Sequence, residues 1–184
     1  MKINYKKSLK FIILLISTLL IGTVSAAIYY SLSISGSLTT AVTVCFDHGV
    51  DWPSGSVMGT GNTSVTLSLK AYPNTTLTYE KAVNVSNTQS GTPSVRLRHI
   101  SITNGTADVA NFTFLNIVLL DDTGVQKGYL NYTVSGNYFI LSESTTYRQM
   151  DSNDEWTIRI ETKAVADATA GVTASLQIAI DVQE

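Results

Sequence analysis

One cysteine, three prolines and two histidines in 184 residues leave little for the chemistry that usually marks a sequence. Cys45 has no partner for an internal disulfide, so an exported chain of this kind must rest on its hydrophobic core. It sits within an alternating apolar pattern and reads as a small buried hydrophobe rather than a nucleophile or a metal ligand. His48 and His99 lie far apart and form no His-Glu-x-x-His pair. The chain also has no Gly-x-Ser-x-Gly elbow and no glycine-rich phosphate loop. No cofactor and no enzymatic reaction are therefore expected. Charge is scarce as well: 14% of residues are Asp, Glu, Lys or Arg, against ~25% in ordinary soluble domains. A formal net charge of −2 carries no basic excess to neutralise a phosphate backbone, so nucleic acid is not an expected partner.

Hydroxyls take the place of charge. There are 20 Ser and 24 Thr, and the mean hydropathy is only +0.15 although 44% of residues are hydrophobic. Thr, Ser, Val, Ile and Tyr outweigh the strong helix formers, which points to strands.

The first segment is set apart by its charge. Lys2, Lys6, Lys7 and Lys10 precede an apolar run at 11–22, and Thr23-Val24-Ser25-Ala26 follows. A positive stretch, a short apolar run and small residues make the layout of a secretory signal peptide, with cleavage expected after Ala26. The run is shorter than the ~20 residues that span a bilayer, which argues against an uncleaved anchor and against a stable membrane anchor after cleavage. A pilin-type leader, cut ahead of the apolar run, would want a small residue just before Phe11, and none is there. Removing residues 1–26 takes four of the twelve basic residues and none of the fourteen acidic ones, leaving eight against fourteen, or −6. The expected organisation is a signal peptide at 1–26, an N-terminal strand at 27–38 and a single β-sandwich domain at 39–184.

From Ile28 onward the pattern has period two, the signature of strands with one dry face. Ile28, Tyr30, Leu32 and Ile34 alternate with Tyr29, Ser31, Ser33 and Ser35; after Gly36, Leu38, Val42, Val44 and Phe46 continue the row. Gly36 is read as a bend or hinge between strands at 28–35 and 38–46. A Gly, Ser and Pro-containing loop at 47–62 comes next. Further strands are expected around 65–69, 77–85, 95–102, 109–120, 126–134, 138–142, 155–163 and 172–183. The phase slip between Val95, Leu97 and Ile100, Ile102 predicts a bulge near His99. The segment at 109–120 reads as a central strand buried on both faces, and Asp121-Asp122-Thr123-Gly124 as a tight turn. Eight to ten short strands without a long amphipathic helix predict an all-β fold: a two-sheet antiparallel sandwich, jelly-roll-like, with an N-terminal donor strand.

Asn-x-Ser/Thr occurs at Asn62, Asn74, Asn84, Asn104, Asn111 and Asn131, more often than 11 Asn and this hydroxyl content give by chance. These are candidate N-glycosylation sites of an exported chain, with Asn111 disfavoured because it opens a core-like strand. Asp47, His48 and Asp51 form one acidic cluster. Asp151, Asn153, Asp154 and Glu155 form another, a weak candidate for Ca²⁺ that lacks the twelve-residue calcium-loop spacing. The expected metal is therefore none.

The mature N-terminus supports two readings. Residues 28–38 are either the first strand of their own sandwich or a donor strand. In the second case Ile28, Tyr30, Leu32, Ile34 and Leu38 would enter a groove of the next subunit, with Gly36 as the hinge. A head-to-tail contact of that kind does not close and builds a filament.

The leader ending at Ala26, the following Ala27-Ile28-Tyr29-Tyr30 and the Ser/Thr strand to Phe46 resemble the secreted β-sandwich subunits of biofilm-matrix fibres, TasA-like, and especially the archaeal bundling pilins. The C-terminal segments Asp154-Glu155-Trp156-Thr157-Ile158-Arg159-Ile160 and Ala168-Thr169-Ala170-Gly171-Val172-Thr173-Ala174 fit the same style. The resemblance spans the chain but includes no invariant chemical motif. It implies a jelly-roll core, a homopolymer made by head-to-tail strand exchange, lateral bundling of filaments and an extracellular, cell-surface location. Some members of that group have been described as metalloproteases, and no zinc motif here supports that activity. The expected function is thus a structural filament subunit for adhesion or cell cohesion. The alternative is a monomeric cell-envelope or glycan-binding module that uses aromatics such as Tyr29, Tyr129 and Trp156.

Overall fold

The computed structural model describes residues 44–104, 111–135, 138–144, 146–168 and 172–183. The expected signal peptide at 1–26 and the segment at 27–38, with its five apolar donor candidates and Gly36, lie outside the described residues.

Period-two sequence becomes strand nearly everywhere. The strands are β1 (Val44–His48), β2 (Val57–Met58), β3 (Ser64–Ala71), β4 (Leu77–Asn87), β5 (Ser94–Asn104), β6 (Phe112–Leu120), β7 (Gln126–Ser135), β8 (Tyr138–Glu143), β9 (Arg148–Gln149), β10 (Glu155–Ala164) and β11 (Val172–Gln183). A single 3-10 turn at Thr60–Asn62 precedes β3. The strands form a six-stranded sheet in the order β1-β4-β10-β6-β7-β8 and a five-stranded sheet in the order β2-β3-β11-β5-β9. Every strand pairing is antiparallel.

The topology is a rolled-up hairpin. One arm is β3-β4-β5-β6 and the other is β7-β9-β10-β11. The arms pair rung by rung as β6 with β7, β5 with β9, β4 with β10 and β3 with β11. Successive rungs alternate between the sheets, and β5–β11 and β6–β10 ladders close the roll. This is the jelly-roll solution to the edge problem of antiparallel sheets. Strands β1, β2 and β8 are additions to the eight.

The inner faces carry the core. On β11, Val172, Ala174, Leu176, Ile178 and Ile180 point inward, and Thr173, Ser175 and Gln177 point out. Burying Leu or Ile side chains contributes about 1.5–3 kcal/mol each, and a one-residue slip would put all of them in water, so the register is strongly set. Trp156, Tyr132, Phe46 and Phe112 are the largest fully buried side chains. Buried polar groups are tied: Thr162 donates to the Lys70 carbonyl across the sheets at 2.6 Å. The Asn87 amide donates to the Gly91 and Asp151 carbonyls at 2.8 and 2.9 Å, holding the β4–β5 and β9–β10 connections together. Gly49 touches β4 so closely that an added Cβ would lie 1.9 Å from the Lys81 carbonyl oxygen.

Two expectations change. Strand β6 is buried on one face only, through Phe112, Leu115, Ile117 and Leu119. Its outer residues are half-buried because long neighbours lie over them: Val118 stands between Arg159 and Tyr129, and Phe114 between Lys163 and Thr133. The interval at 47–62 is not all loop, since β1 runs to His48 and β2 pairs with β3. The bulge near His99 is present: Ser101 faces Gln177 and His99 faces Ile178, which leaves Ile100 unpaired and exposed. The Asp121 turn also forms as its residues imply, with Asp121 Oδ1 accepting from the Thr123 and Val125 amides and Gly124 at φ +81°.

Candidate functional site

Three rungs of the rolled hairpin are long. The β4–β10, β6–β7 and β3–β11 ladders pair seven, seven and eight residues. The fourth rung is almost missing. Strand β5 has eleven residues, and β9 covers only Ser94 and Val95. Among the described residues, the outer edge of β5 from Arg96 to Asn104 has no partner strand.

The cause lies in the second arm of the hairpin. After β7 the chain turns back as β8 and extends the six-stranded sheet, with Phe139 and Leu141 facing in and Tyr138 and Ile140 facing out. The Ser144 amide still donates to the Tyr129 carbonyl on that sheet. Only at Arg148 has the chain crossed to β5, and Met150 then anchors it in the core, its amide donating to the Pro93 carbonyl. Residues 142–149, Ser-Glu-Ser-Thr-Thr-Tyr-Arg-Gln, lack the alternating apolar side chains that a full inner rung requires.

Strand β5 lies across from β7 of the opposite sheet, and its open edge is on the side where β8 ends that sheet. The apolar residues bordering this side are less covered than the core proper: Ile102, Phe139 and Leu141 are half-buried. Phe139 packs against Phe112 and Tyr132 with ring centroids 5.7 and 6.1 Å apart. His99 points inward from β5, its Nδ1 2.8 Å from the Tyr132 hydroxyl on β7. Burial pushes Tyr132 well above its ordinary value, helped by the Glu143 charge. Burial lowers His99, and Glu143 partly offsets this. On the outer face, Asp181 accepts from Arg96 and Arg98, both at 2.6 Å. Burial alone would raise the Asp181 carboxyl, and the two arginine bonds outweigh it and lower it.

The other sequence candidates fall elsewhere. Asn62 and Asn74 are exposed on turns at φ +55° and +58°. Asn84 and Asn131 lie within β4 and β7 on the outer face of the six-stranded sheet, both half-buried. The Asn84 amide nitrogen already donates to Glu155 Oε1 at 2.7 Å. Asn111 is half-buried and its carbonyl accepts from Val165. Asn104 ends β5, and its sequon partner Thr106 lies outside the described residues. Trp156, expected as an exposed aromatic, is 1% exposed and belongs to the core, because it shares the inward phase of Ile158 and Ile160. Tyr129 is half-buried on the outer face.

Asp151, Asn153, Asp154 and Glu155 do not converge. The Asp151 amide donates to Asp154 Oδ2, Asn153 donates to Ser152, and Glu155 is taken by Asn84. Among the described residues no group of three or more His, Cys, Asp or Glu side chains is arranged to hold a metal ion. His48 stacks on Trp52 at 4.1 Å, at the opposite edge of the six-stranded sheet from β8. Cys45 is half-buried on β1, and burial together with Asp47 raises its thiol.

The sequence places the bulge at His99, and strand donation implies an open sheet edge, but the sequence reading does not say that β5 carries it. The polar run at 142–149 was the available signal. Fold and edge together define a jelly-roll sandwich lacking most of one rung among its described residues. Compared with models of known families and with curated proteins, the chain matches none.

Proposed function

We propose that this chain is the subunit of an extracellular filament, a pilus or matrix fibre for adhesion or cell cohesion, that polymerises by donating its N-terminal strand to β5 of the next subunit. The observation that carries the reading is the nearly missing β5–β9 rung. Among the described residues, nine on β5, Arg96 to Asn104, have no partner strand on their outer edge. The segment at 28–36 also has nine, and at ~3.4 Å per residue either spans about 27 Å. Paired there, the segment supplies the absent strand through backbone hydrogen bonds. Alternate side chains Ile28, Tyr30, Leu32 and Ile34 turn toward Ile102, Phe139 and Leu141. Gly36 is the hinge that releases the segment from its own domain, and Leu38 follows it as the last of the donor side chains. The resemblance to fibre subunits and bundling pilins supports the same reading, including lateral bundling and export through the signal peptide at 1–26. No cofactor, nucleic acid or reaction is part of it.

The competing reading is a monomeric envelope or glycan-binding module. It would use the outer face of the six-stranded sheet around Tyr129, Asn131 and Arg159, without Trp156. Deletion of residues 27–35 separates the two. In the filament reading the variant is exported and folded but stays monomeric. Filaments formed by the deletion variant would contradict strand donation.

A further inference from the structure

We propose that His99 makes closure of the β5 edge pH-dependent: its neutral imidazole admits an incoming strand and its imidazolium opposes one. The inference rests on the strand-donation reading and adds to it a regulatory group.

His99 is the histidine of the open edge, reaching inward between the sheets to the Tyr132 hydroxyl, 2.8 Å away. Tyr132 is 1% exposed, and His99 is the hydrogen-bonding partner of its hydroxyl among the described residues. With a neutral ring whose Nδ1 accepts from the buried Tyr132 hydroxyl, the ring proton sits on Nε2. Protonation reverses the bond. Nδ1 must then donate to the Tyr132 oxygen, and the hydroxyl proton is left without an acceptor in a buried position.

An incoming strand adds a second cost. It removes water from the imidazolium and sets against it a mainly aliphatic row, in which Ile28, Leu32 and Ile34 offer a cation no hydrogen bond and Tyr30 alone carries a polar group. The charged groups around the ring do not repair this. From β7 the ring meets the uncharged Tyr132, and from β11 it meets Ile178. Arg96, on the same strand, is turned outward and held by Asp181. Among the described residues, Glu143 on β8 is the carboxylate that favours the cation, and it is exposed, where water screens it. Burial already favours the neutral ring before any strand arrives.

Joining each subunit therefore releases one proton once the pH falls below the range in which His99 of the free subunit titrates, which burial sets below the ordinary histidine value. Linkage then raises the critical concentration for assembly by about tenfold per pH unit on the acid side and leaves it flat above about pH 7. The test is sedimentation of the processed, secreted chain between about pH 8 and pH 5, for wild type and His99→Gln. Gln keeps an oxygen acceptor for Tyr132 and cannot become cationic, so its profile is expected to be flat. A flat wild-type profile, or a slope retained in His99→Gln, overturns the inference. Absence of polymer at every pH would instead count against strand donation itself. Should the variant fail to fold, NMR titration of the two histidines decides the matter, with His48 as the reference signal. His99 is expected not to titrate inside the intact polymer, and titration there overturns the proposal.

Discussion

Asn62 and Asn74 differ from the other sequons in one physical respect: their side chains stand in water on left-handed turns. A glycosylating enzyme must reach the amide nitrogen, and at Asn84 that nitrogen is bonded to Glu155 inside a ladder. Glycopeptide mapping of secreted protein should therefore find modification at Asn62 and Asn74 and none at Asn84 or Asn131. Glycan on Asn84 would contradict the strand placement. Trp156→Ala removes one of the largest core side chains and should cost about 3–5 kcal/mol in denaturant unfolding. Cys45→Ser, at a half-buried outer position, should change stability by less than about 1 kcal/mol. The Trp156 burial was legible in the sequence, since it shares the parity of Ile158 and Ile160. Reading it as an exposed aromatic ignored that alternation. Apart from Asn111, set aside for opening a core-like strand, the sequons were not separable from sequence, because they share one motif and Asn62, Asn74, Asn84 and Asn131 differ in backbone angle, burial and bonding.

Among the elements, β11 was readable to the residue and β3 to within two, because clean alternation with one dry face leaves a strand no other register. Strand β6 read as buried on both faces since Phe114, Val118 and Leu120 are apolar. Its outer face is covered instead by stems of neighbouring strands, which a single strand's sequence does not reveal. The open edge of β5 was harder to see, because an edge is defined by the partner that does not arrive. In the filament reading, amide exchange along β5 should distinguish subunit from polymer. Residues 97–104 should be protected in the polymer and exchange faster in the unassembled subunit, with β11 protected in both. Equal exchange along β5 in both states would show that assembly leaves this edge untouched.

Among the described residues ion pairs are few and the apolar core is large, so stability depends little on charge near neutral pH. Acid acts through specific groups. Asp181 and Asp121 are held below the ordinary carboxylate range, Asp181 by its arginine bonds against burial and Asp121 first by Lys127 and then by Thr123. A depressed carboxyl contributes stability that is full above its unfolded value and lost as pH falls through the folded value. Denaturation midpoints should thus hold from neutrality to about pH 5 and drop below about pH 4. Asp181→Asn should remove part of that drop and cost about 1–2 kcal/mol at neutral pH, because two guanidinium groups lose a shared charged acceptor.

The central claim is that the β5 edge is completed by a neighbour. Electron cryomicroscopy of native secreted material, at a resolution that traces strands, tests it most directly. The account predicts a polymer in which residues 28–36 of one subunit run along Arg96 to Asn104 of the next. A monomeric particle, or a polymer whose residues 28–36 lie within their own sandwich, would contradict it.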